Sequence, residues 1–502
     1  MKKTLLWMVC VILSVVVATG CSGGKKQESQ VGGETNEKLT INMTTVSFSG
    51  GGWPDNEHPV IKKLNEKLNI DLQIQWVPSD VYGEKLNVLA ASGQFPDVYF
   101  INDRNSFRKW QQNGVFLELS PFKDQYPGLF KKQDPYQLQL LNPAGKIYGL
   151  AYYLQPGRES LAIRQDWLDK LKLKAPTTID EFYQVAKAFA LNDPDGNGKK
   201  DTFGFTTAVS KTGGFLDTLQ HLTAAFGLAE GWKEKDGKLI PIEVQTEELK
   251  AFLGFMNKAY TEGVLDTDFI LNKSSDINAK YLSGTVGMTV TSASGIYYTD
   301  VEKMKKINGL SVPIAPPKGA DGKQGQLTQM GGSKIVINSK IDAKKQHRIL
   351  QLLEYMSSDE GMDLMKHGIE GIHYEKKGDT FAPLPAFDSE RPFLLYRVFF
   401  HPKDDIYQNS PRWESPEYID KMLKLYRENE KYAYRDVAFG LISETYIKNG
   451  INLKNKWNES MVKVILGELP ASEIDKAVSE WKKNGGDQII QEINADYLAS
   501  KK

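Results

Sequence analysis

The sequence predicts an α/β protein: two successive mixed blocks, closed by a mostly helical C-terminal part. Three observations predict it. Strand-like and helix-like apolar spacings alternate between Leu39 and Asp103, the mixture returns after Tyr148, and helical spacing takes over after Asn338. In the first block Leu39, Ile41 and Met43 alternate as a strand, and Ile61, Leu64 and Leu68 recur at helical spacing. Ile70, Leu72, Ile74 and Trp76 alternate again. Leu86, Leu89 and Ala90 mark a second helix closing near Gly93, and Val98 to Ile101 is a compact strand. A β-α-β-α-β order calls for parallel strands with right-handed crossovers, and ligands then sit beyond the strands' carboxyl ends. The loops there are Ser47 to Pro59, carrying Trp53 beside three glycines, and Asn102-Asp103-Arg104. Trp53 and Asp103 are therefore candidate ligand residues. The competing reading of Trp53 is a ring folded back over the core.

The second block opens at Tyr148 to Tyr153. Leu161 to Arg164 reads as a strand and Gln165 to Leu171 as a short helix. Thr178 with Glu181 three residues on is a capping box, and Phe182, Val185, Ala186 and Phe189 form the stripe of the helix it starts. Thr246 to Tyr260 is helical, and Gly284 to Val290 has strand character. Strand signals return at Leu310 to Ile314 and at Lys334 to Asn338, on either side of a loop rich in Gly and Lys. No repeat of solenoid period is present.

The amino terminus places the protein outside the cytoplasm. Lys2 and Lys3, an apolar run from Leu5 to Val17, and Ala18-Thr19-Gly20-Cys21 follow the order of a secretory signal peptide ending in a lipobox. The run is short for a bilayer span, which needs about 20 apolar residues. Residues 1–20 are thus expected to be removed and Cys21 to be lipidated. Residues 21–38, poor in apolar side chains, are expected to tether a globular domain to the extracytoplasmic face of the cell membrane.

Sixty-three basic and 63 acidic residues balance, so nothing in the charge suggests nucleic acid. Of the two cysteines, Cys10 leaves with the signal peptide and Cys21 is acylated, which excludes cysteine catalysis and a cysteine-based zinc site. There is no Walker A sequence, no G-x-S-x-G, no H-E-x-x-H and no G-x-G-x-x-G after a strand. The six histidines are scattered singly and suggest neither a zinc site nor a relay. No catalytic residues are assigned.

The sharpest local motif is Asp193-Pro194-Asp195-Gly196-Asn197-Gly198-Lys199-Lys200-Asp201. With Asp193 as position 1, side-chain oxygens fall at positions 1, 3, 5 and 9, glycine at 6, and Lys199 offers its carbonyl at 7. That is the first part of an EF-hand calcium loop, and such hard oxygen ligands suit Ca²⁺. Position 12 is Gly204, so the usual bidentate Glu is missing. The competing reading is an exposed Asp/Asn/Gly turn. The expected role is structural.

Several aromatics sit near Gly, Ser or Pro in apparent loops: Trp53, Tyr152, Tyr153, Trp232, Tyr297, Tyr298, His373, Tyr374 and Trp413. Flat rings suit the apolar faces of sugars, although most aromatics in any domain serve its core.

In this order, behind a lipobox, several motifs resemble the extracellular solute-binding lipoproteins of family 1, the substrate receptors of ABC importers, in their Lpl/LipO-type subgroup. They are Ala91 to Val98, Tyr148-Gly-Leu, Ile163 to Lys170, Pro176 to Phe182, the Asp193 loop with Asp201 to Gly204, Tyr281 to Met288, and Ser358 to Gly361 leading to Gly368 to Tyr374. The resemblance implies a periplasmic-binding-protein-like fold, with two α/β lobes joined by hinge crossings near Ala151 and Leu310. One lobe would be 39–150 plus 311–375 and the other 151–310 plus 376–502. It further implies an oligosaccharide or other carbohydrate ligand, permease partners in the membrane, and Ca²⁺ on the Asp193 loop, where similar proteins place an acidic ligand at the position of Thr202. The ligand residues expected are Trp53, Asp103, Tyr152, Trp232, Tyr297, His373 and Trp413. Two other functions fit the same features: a ligand-sensing lipoprotein that reports to a membrane sensor kinase, and a glycan-active enzyme.

Overall fold

The computed structural model describes residues 37–47, 52–142, 145–152, 155–209, 215–216, 218–327, 333–378, 380–396 and 416–500. The chain divides into two units, Met1–Glu37 and Lys38–Lys502, and the second carries the elements below. The first sheet begins with β1 (Leu39–Ser47), β2 (Ile70–Pro78) and β3 (Val98–Ile101), all parallel, with helices α1 (Pro59–Leu68) and α2 (Ser79–Ser92) between them. These are the alternations seen in the sequence. His58 caps α1 by accepting from Val60 N, and Asn69 ends it in the left-handed region. Gly93, at φ 67°, closes α2 as expected. β4 (Leu150–Ala151) completes the first run through this lobe.

The second sheet uses β5 (Glu159–Arg164) and β6 (Phe203–Phe205), then, after the hairpin β7 (Trp232–Lys235) and β8 (Lys238–Pro241), β9 (Val286–Ser292) and β10 (Ser311–Ile314). The order is β10-β5-β9-β6. β11 (Gln326–Leu327) precedes β12 (Lys334–Ile337), which returns to the first sheet between β3 and β4 and runs antiparallel to both. The first sheet is therefore mixed, in the order β2-β1-β3-β12-β4, not purely parallel.

Two expected boundaries move. Residues 311–314 pair with β5, so the chain recrosses between Leu327 and Lys334 instead of near Leu310. Pro313 fits this place, because β10 is an edge strand and proline lacks a ladder donor. Residues 376–396 also stay with the first lobe, not the second. They carry the end of the hairpin β13 (Tyr374–Lys377) and β14 (Thr380–Pro383), and Leu395 lies in the first core. β15 (Ala433–Tyr434) pairs with β11, and the helices Glu444–Leu466, Glu473–Trp481 and Asp487–Ser500 cover the second core through residues such as Leu453, Trp457, Met461 and Ile489.

Each lobe has its own core, one around Ile41, Leu72, Tyr99 and Ile335, the other around Trp167, Phe189, Phe252 and Trp457. The exposed edge of β2 is blunted by side chains: Leu72 N donates to Asn65 Oδ1 at 2.9 Å and Ile74 N to Asn56 Oδ1 at 2.8 Å. Capped amides of this kind deny a second chain its template for strand addition. The capping box is present, with Glu181 N on Thr178 Oγ1 at 3.2 Å and Thr178 N on Glu181 Oε2 at 3.3 Å. Among the described residues, no helix is long and apolar enough to cross a membrane.

Candidate functional site

Strand directions decide where the two lobes face each other. β4 is antiparallel to β12 and β12 to β3, so the carboxyl end of β4 lies on the same edge as those of β1, β2 and β3. The chain leaves that edge at Ala151 and enters β5 at Glu159. Because β9 is antiparallel to β5 and parallel to β6, the edge it enters also carries the carboxyl ends of β6 and β9. The return crossing reaches the first edge at Lys334. The two edges are thus joined by both crossings. Tyr152 N donates to Ser333 O at 3.0 Å, tying one crossing to the other. Asn429 Nδ2 holds the first crossing through Gly157 O at 3.0 Å and Glu159 O at 2.9 Å. Gly157, at φ 72°, sits so close to the Tyr426 carbonyl that no β-carbon fits there.

On the first edge Trp53 stands half-exposed, its ring 4.7 Å from that of Trp76 at 42°. Trp76, whose sequence context marks only a strand, is fixed by its indole N–H donating to Pro54 O at 2.7 Å. The pair forms an aromatic platform beyond β1 and β2, with Arg391 against Gly52 beside it. Tyr152 lies at the crossing itself, half-buried, edge-on to Phe100 at 5.9 Å. Tyr297 follows the carboxyl end of β9 on the facing edge, and burial pushes its phenol above the ordinary range. Glu159 accepts from Gln220 Nε2 at 3.3 Å and pairs with Arg158 at 3.1 Å, giving this edge a compensated charge.

The other expected ligand residues have different work. Asp103 caps helix α3 (Arg104–Gln112), its Oδ2 accepting from Ser106 N at 2.6 Å. Trp232 packs against the second core, with its backbone N–H donating to Asp436 Oδ1 at 3.1 Å. His373 is fully buried. Trp413 and Cys21 lie outside the described residues.

His373 belongs to a trio that the sequence conceals. The ligand atoms of His58, His373 and Glu390 all lie within 4.8 Å of one another, and the two rings stack at 5.7 Å and 14°. Histidines that look scattered in sequence are neighbours in space. The spacing invites a metal, but the hydrogen bonds oppose one. Val60 N donates to His58 Nδ1 at 3.2 Å and Ile369 N to His373 Nδ1 at 2.9 Å. Both Nδ1 atoms are acceptors, so each neutral ring carries its proton on Nε2, the atom a metal would need. Those protons point instead at Glu390, at its Oε2 from His373 (3.0 Å) and its carbonyl from His58 (3.2 Å). Burial, then the facing His373, push the His58 imidazole below its ordinary range. The trio is a clamp that fastens the Trp53 loop to the segment after β14. Stoichiometric Zn²⁺ is expected to leave the unfolding temperature unchanged. His373→Ala, which strips Ile369 N of its acceptor and Glu390 of its donor, is expected to cost about 2 kcal/mol in denaturant unfolding.

The Asp193 loop does form a turn around its first carboxylate. Asp193 Oδ1 accepts from Gly196 N at 2.9 Å and Asn197 N at 3.0 Å, and its Oδ2 from Gly198 N at 3.1 Å. Asn197 Nδ2 donates to both Asp195 Oδ2 (2.8 Å) and Asp201 Oδ1 (3.1 Å), so with its backbone N–H on Asp193 this one residue gathers three acids. Burial first, and then the neighbouring Asp193 and Asp201, push the Asp195 carboxyl above its ordinary range. Thr202 turns away, donating to Phe189 O at 2.8 Å, and does not replace the missing acidic ligand. The donor set still fits a hard divalent cation: Asp193, Asp195, Asn197 and Asp201 side chains with the Lys199 carbonyl.

The model of bacterial extracellular solute-binding proteins matches residues 54–363, more than half of the chain. The chain belongs to that family. Over 99% of its length it is 29% identical to lipoprotein LipO of Bacillus subtilis (98% of that protein). It is 28% identical to the polygalacturonan/rhamnogalacturonan-binding protein YtcQ of the same organism, over 99% of each chain. The crystal structure of the alginate-binding protein AlgQ2 without calcium ion shares the fold, with a TM-score of 0.72 at 21% identity, covering 92% of this chain and 98% of that one. Membership places the chain among binding proteins, not enzymes.

Proposed function

We propose that this solute-binding protein captures an oligosaccharide between its two lobes and delivers it to the permease of an ABC importer, held at the extracytoplasmic face of the membrane by a lipid on Cys21. The observation that carries the reading is the full-length likeness to a polygalacturonan/rhamnogalacturonan-binding protein, and the Trp53–Trp76 platform beyond the first sheet agrees with it. Aromatic faces cover the apolar faces of sugar rings, while groups such as Arg158 and Glu159 on the facing edge supply polar contacts. Ligand favours the closed form only as far as it binds that form better than the open one. Closure then presents a shape that a permease can distinguish from the empty receptor.

A thermal-shift panel of pectic, fructan and alginate oligosaccharides tests this. Binding to the native state alone adds about 2.7 kcal/mol at a hundredfold excess over Kd. A panel in which no glycan raises the unfolding temperature would sink the carbohydrate reading.

We further propose that Ca²⁺ occupies the Asp193 loop in a structural role, joining acids that otherwise repel one another. Saturating Ca²⁺ is expected to raise the unfolding temperature, reversibly on chelation, and Asp195→Asn to abolish most of that rise. Equal melting with calcium and with chelator would remove the metal from this account.

A further inference from the structure

We infer that the first lobe carries a second site, a groove for a neutral saccharide on the face of its sheet, apart from the cleft. Parallel register sets Asn42 beside Gln73 and Thr44 beside Gln75, and the two-residue period turns all four side chains to one face. The other face, with Ile41, Met43, Leu72 and Ile74, is buried in the core. Beyond α2, Gln94 and Phe95 close the side of a cavity of about 430 Å³, large enough for a small ligand. The Phe95 ring is held by Tyr99 (5.3 Å, 15°) and Trp110 (5.2 Å, 65°).

The chemistry of the wall is specific. None of the lining residues bears a formal charge. Asn42 Nδ2 reaches Asp97 at 3.4 Å, which leaves its carbonyl oxygen to the groove. Gln75 Oε1 accepts from the Thr44 hydroxyl at 3.5 Å, which leaves its Nε2. Among the described residues no hydrogen bond engages Gln75 Nε2 or the Gln94 carboxamide. Paired donors and acceptors beside a fixed ring suit a polyhydroxylated, uncharged ligand. Acidic sugars are disfavoured, because the Asp71 carboxylate stands at one end, accepting from Gln73 Nε2 at 2.8 Å. The deeper Asp97 is neutralised by Lys345 at 3.1 Å. The groove is set apart from the cleft platform by face: Gln73 and Gln75 lie five and three residues, about 17 and 10 Å, upstream of the end of β2, and strand alternation turns Trp76 to the opposite face.

Titration of the full chain with maltotriose, and separately with trigalacturonate, tests the site. A maltotriose component is expected that survives Trp53→Ala and weakens about tenfold in the double variant Gln75→Ala/Gln94→Ala, with trigalacturonate excluded from it. Both glutamines are exposed, so unfolding of the variant should match the wild type. The proposal is overturned if maltotriose shows no such component, if the double variant leaves it unchanged, if Trp53→Ala alone removes it, or if trigalacturonate fills it equally. The cleft is read through Trp53 and the groove through Gln75 and Gln94, so failure of one reading leaves the other standing.

Discussion

Trp53→Ala should raise the Kd of the captured oligosaccharide about 30-fold while the unfolding temperature stays near that of the wild type. The ring is half-exposed and belongs to neither core, so its loss opens no cavity there. What it supplies is apolar surface beside Trp76 for a sugar face to cover. Losing that burial costs about 2 kcal/mol, and each 1.4 kcal/mol is a factor of ten in Kd. Trp76→Ala is a different experiment. Trp76 is packed against the first core and its indole holds Pro54, so its removal should lower both affinity and stability. Calorimetric titration with thermal unfolding of both variants separates the cases. An unchanged Kd in Trp53→Ala would move the ligand away from this platform.

Much of the fold was legible because its first signals are local. The alternation in Leu39–Ser47 and Ile70–Pro78, the stripe of α1 and the Gly93 stop need no information beyond their own segments. The capping box at Thr178 is legible for the same reason, since its two hydrogen bonds join residues three apart. Pairing is not local. Nothing inside Lys334–Ile337 tells that it enters the first sheet antiparallel, or that Ser311–Ile314 stays in the second; only Pro313 hinted at an edge. The candidate site divides in the same way. Trp53 could be placed at a strand's carboxyl edge by topology alone. Its partner Trp76 could not, because a tryptophan at the end of an alternating strand reads as core. His58 and Glu390 are 332 positions apart, and no spacing rule connects them. His373, beside glycines in an apparent loop, reads as a ligand residue and instead turns inward because its Nδ1 answers a backbone N–H four residues earlier.

Acid should destabilise the protein well before its hydrogen-bonded carboxylates titrate, and His221 is the main reason. This imidazole is fully buried in the second lobe beside Glu159 and Gln326, at the root of the first crossing. Burial outweighs the favourable charge of Glu159 and lowers its pKa from 6.5 to about 4. The folded protein therefore keeps the ring neutral over a range in which the unfolded chain takes up a proton. The stabilisation is fully present above pH 6.5 and is lost as the pH falls toward 4, by about 3 kcal/mol. The carboxylates divide: burial pushes Glu243 and Asp300 above the ordinary range, so they favour the folded state as the pH falls and offset part of this loss, whereas others act lower. Glu492 accepts from Ser443 Oγ, Thr445 N and Oγ1, and Gln488 Nε2, which together overcome its desolvation and lower it to about 2, so its contribution is lost only as the pH falls below 4.5. Between pH 6.5 and 4.5 His58, also lowered by burial, adds to the loss with the same sign, and Glu243 and Asp300 act against both histidines. Urea unfolding at pH 7.5 and 4.5 measures the loss, and His221→Gln should remove most of it while leaving the smaller part due to His58. A variant as acid-sensitive as the wild type would show that the proton enters elsewhere. If His221 is responsible, the softened region is the one where Gln326 and Asn429 hold the carbonyl of Glu159, so acid should loosen the hinge before it melts either core.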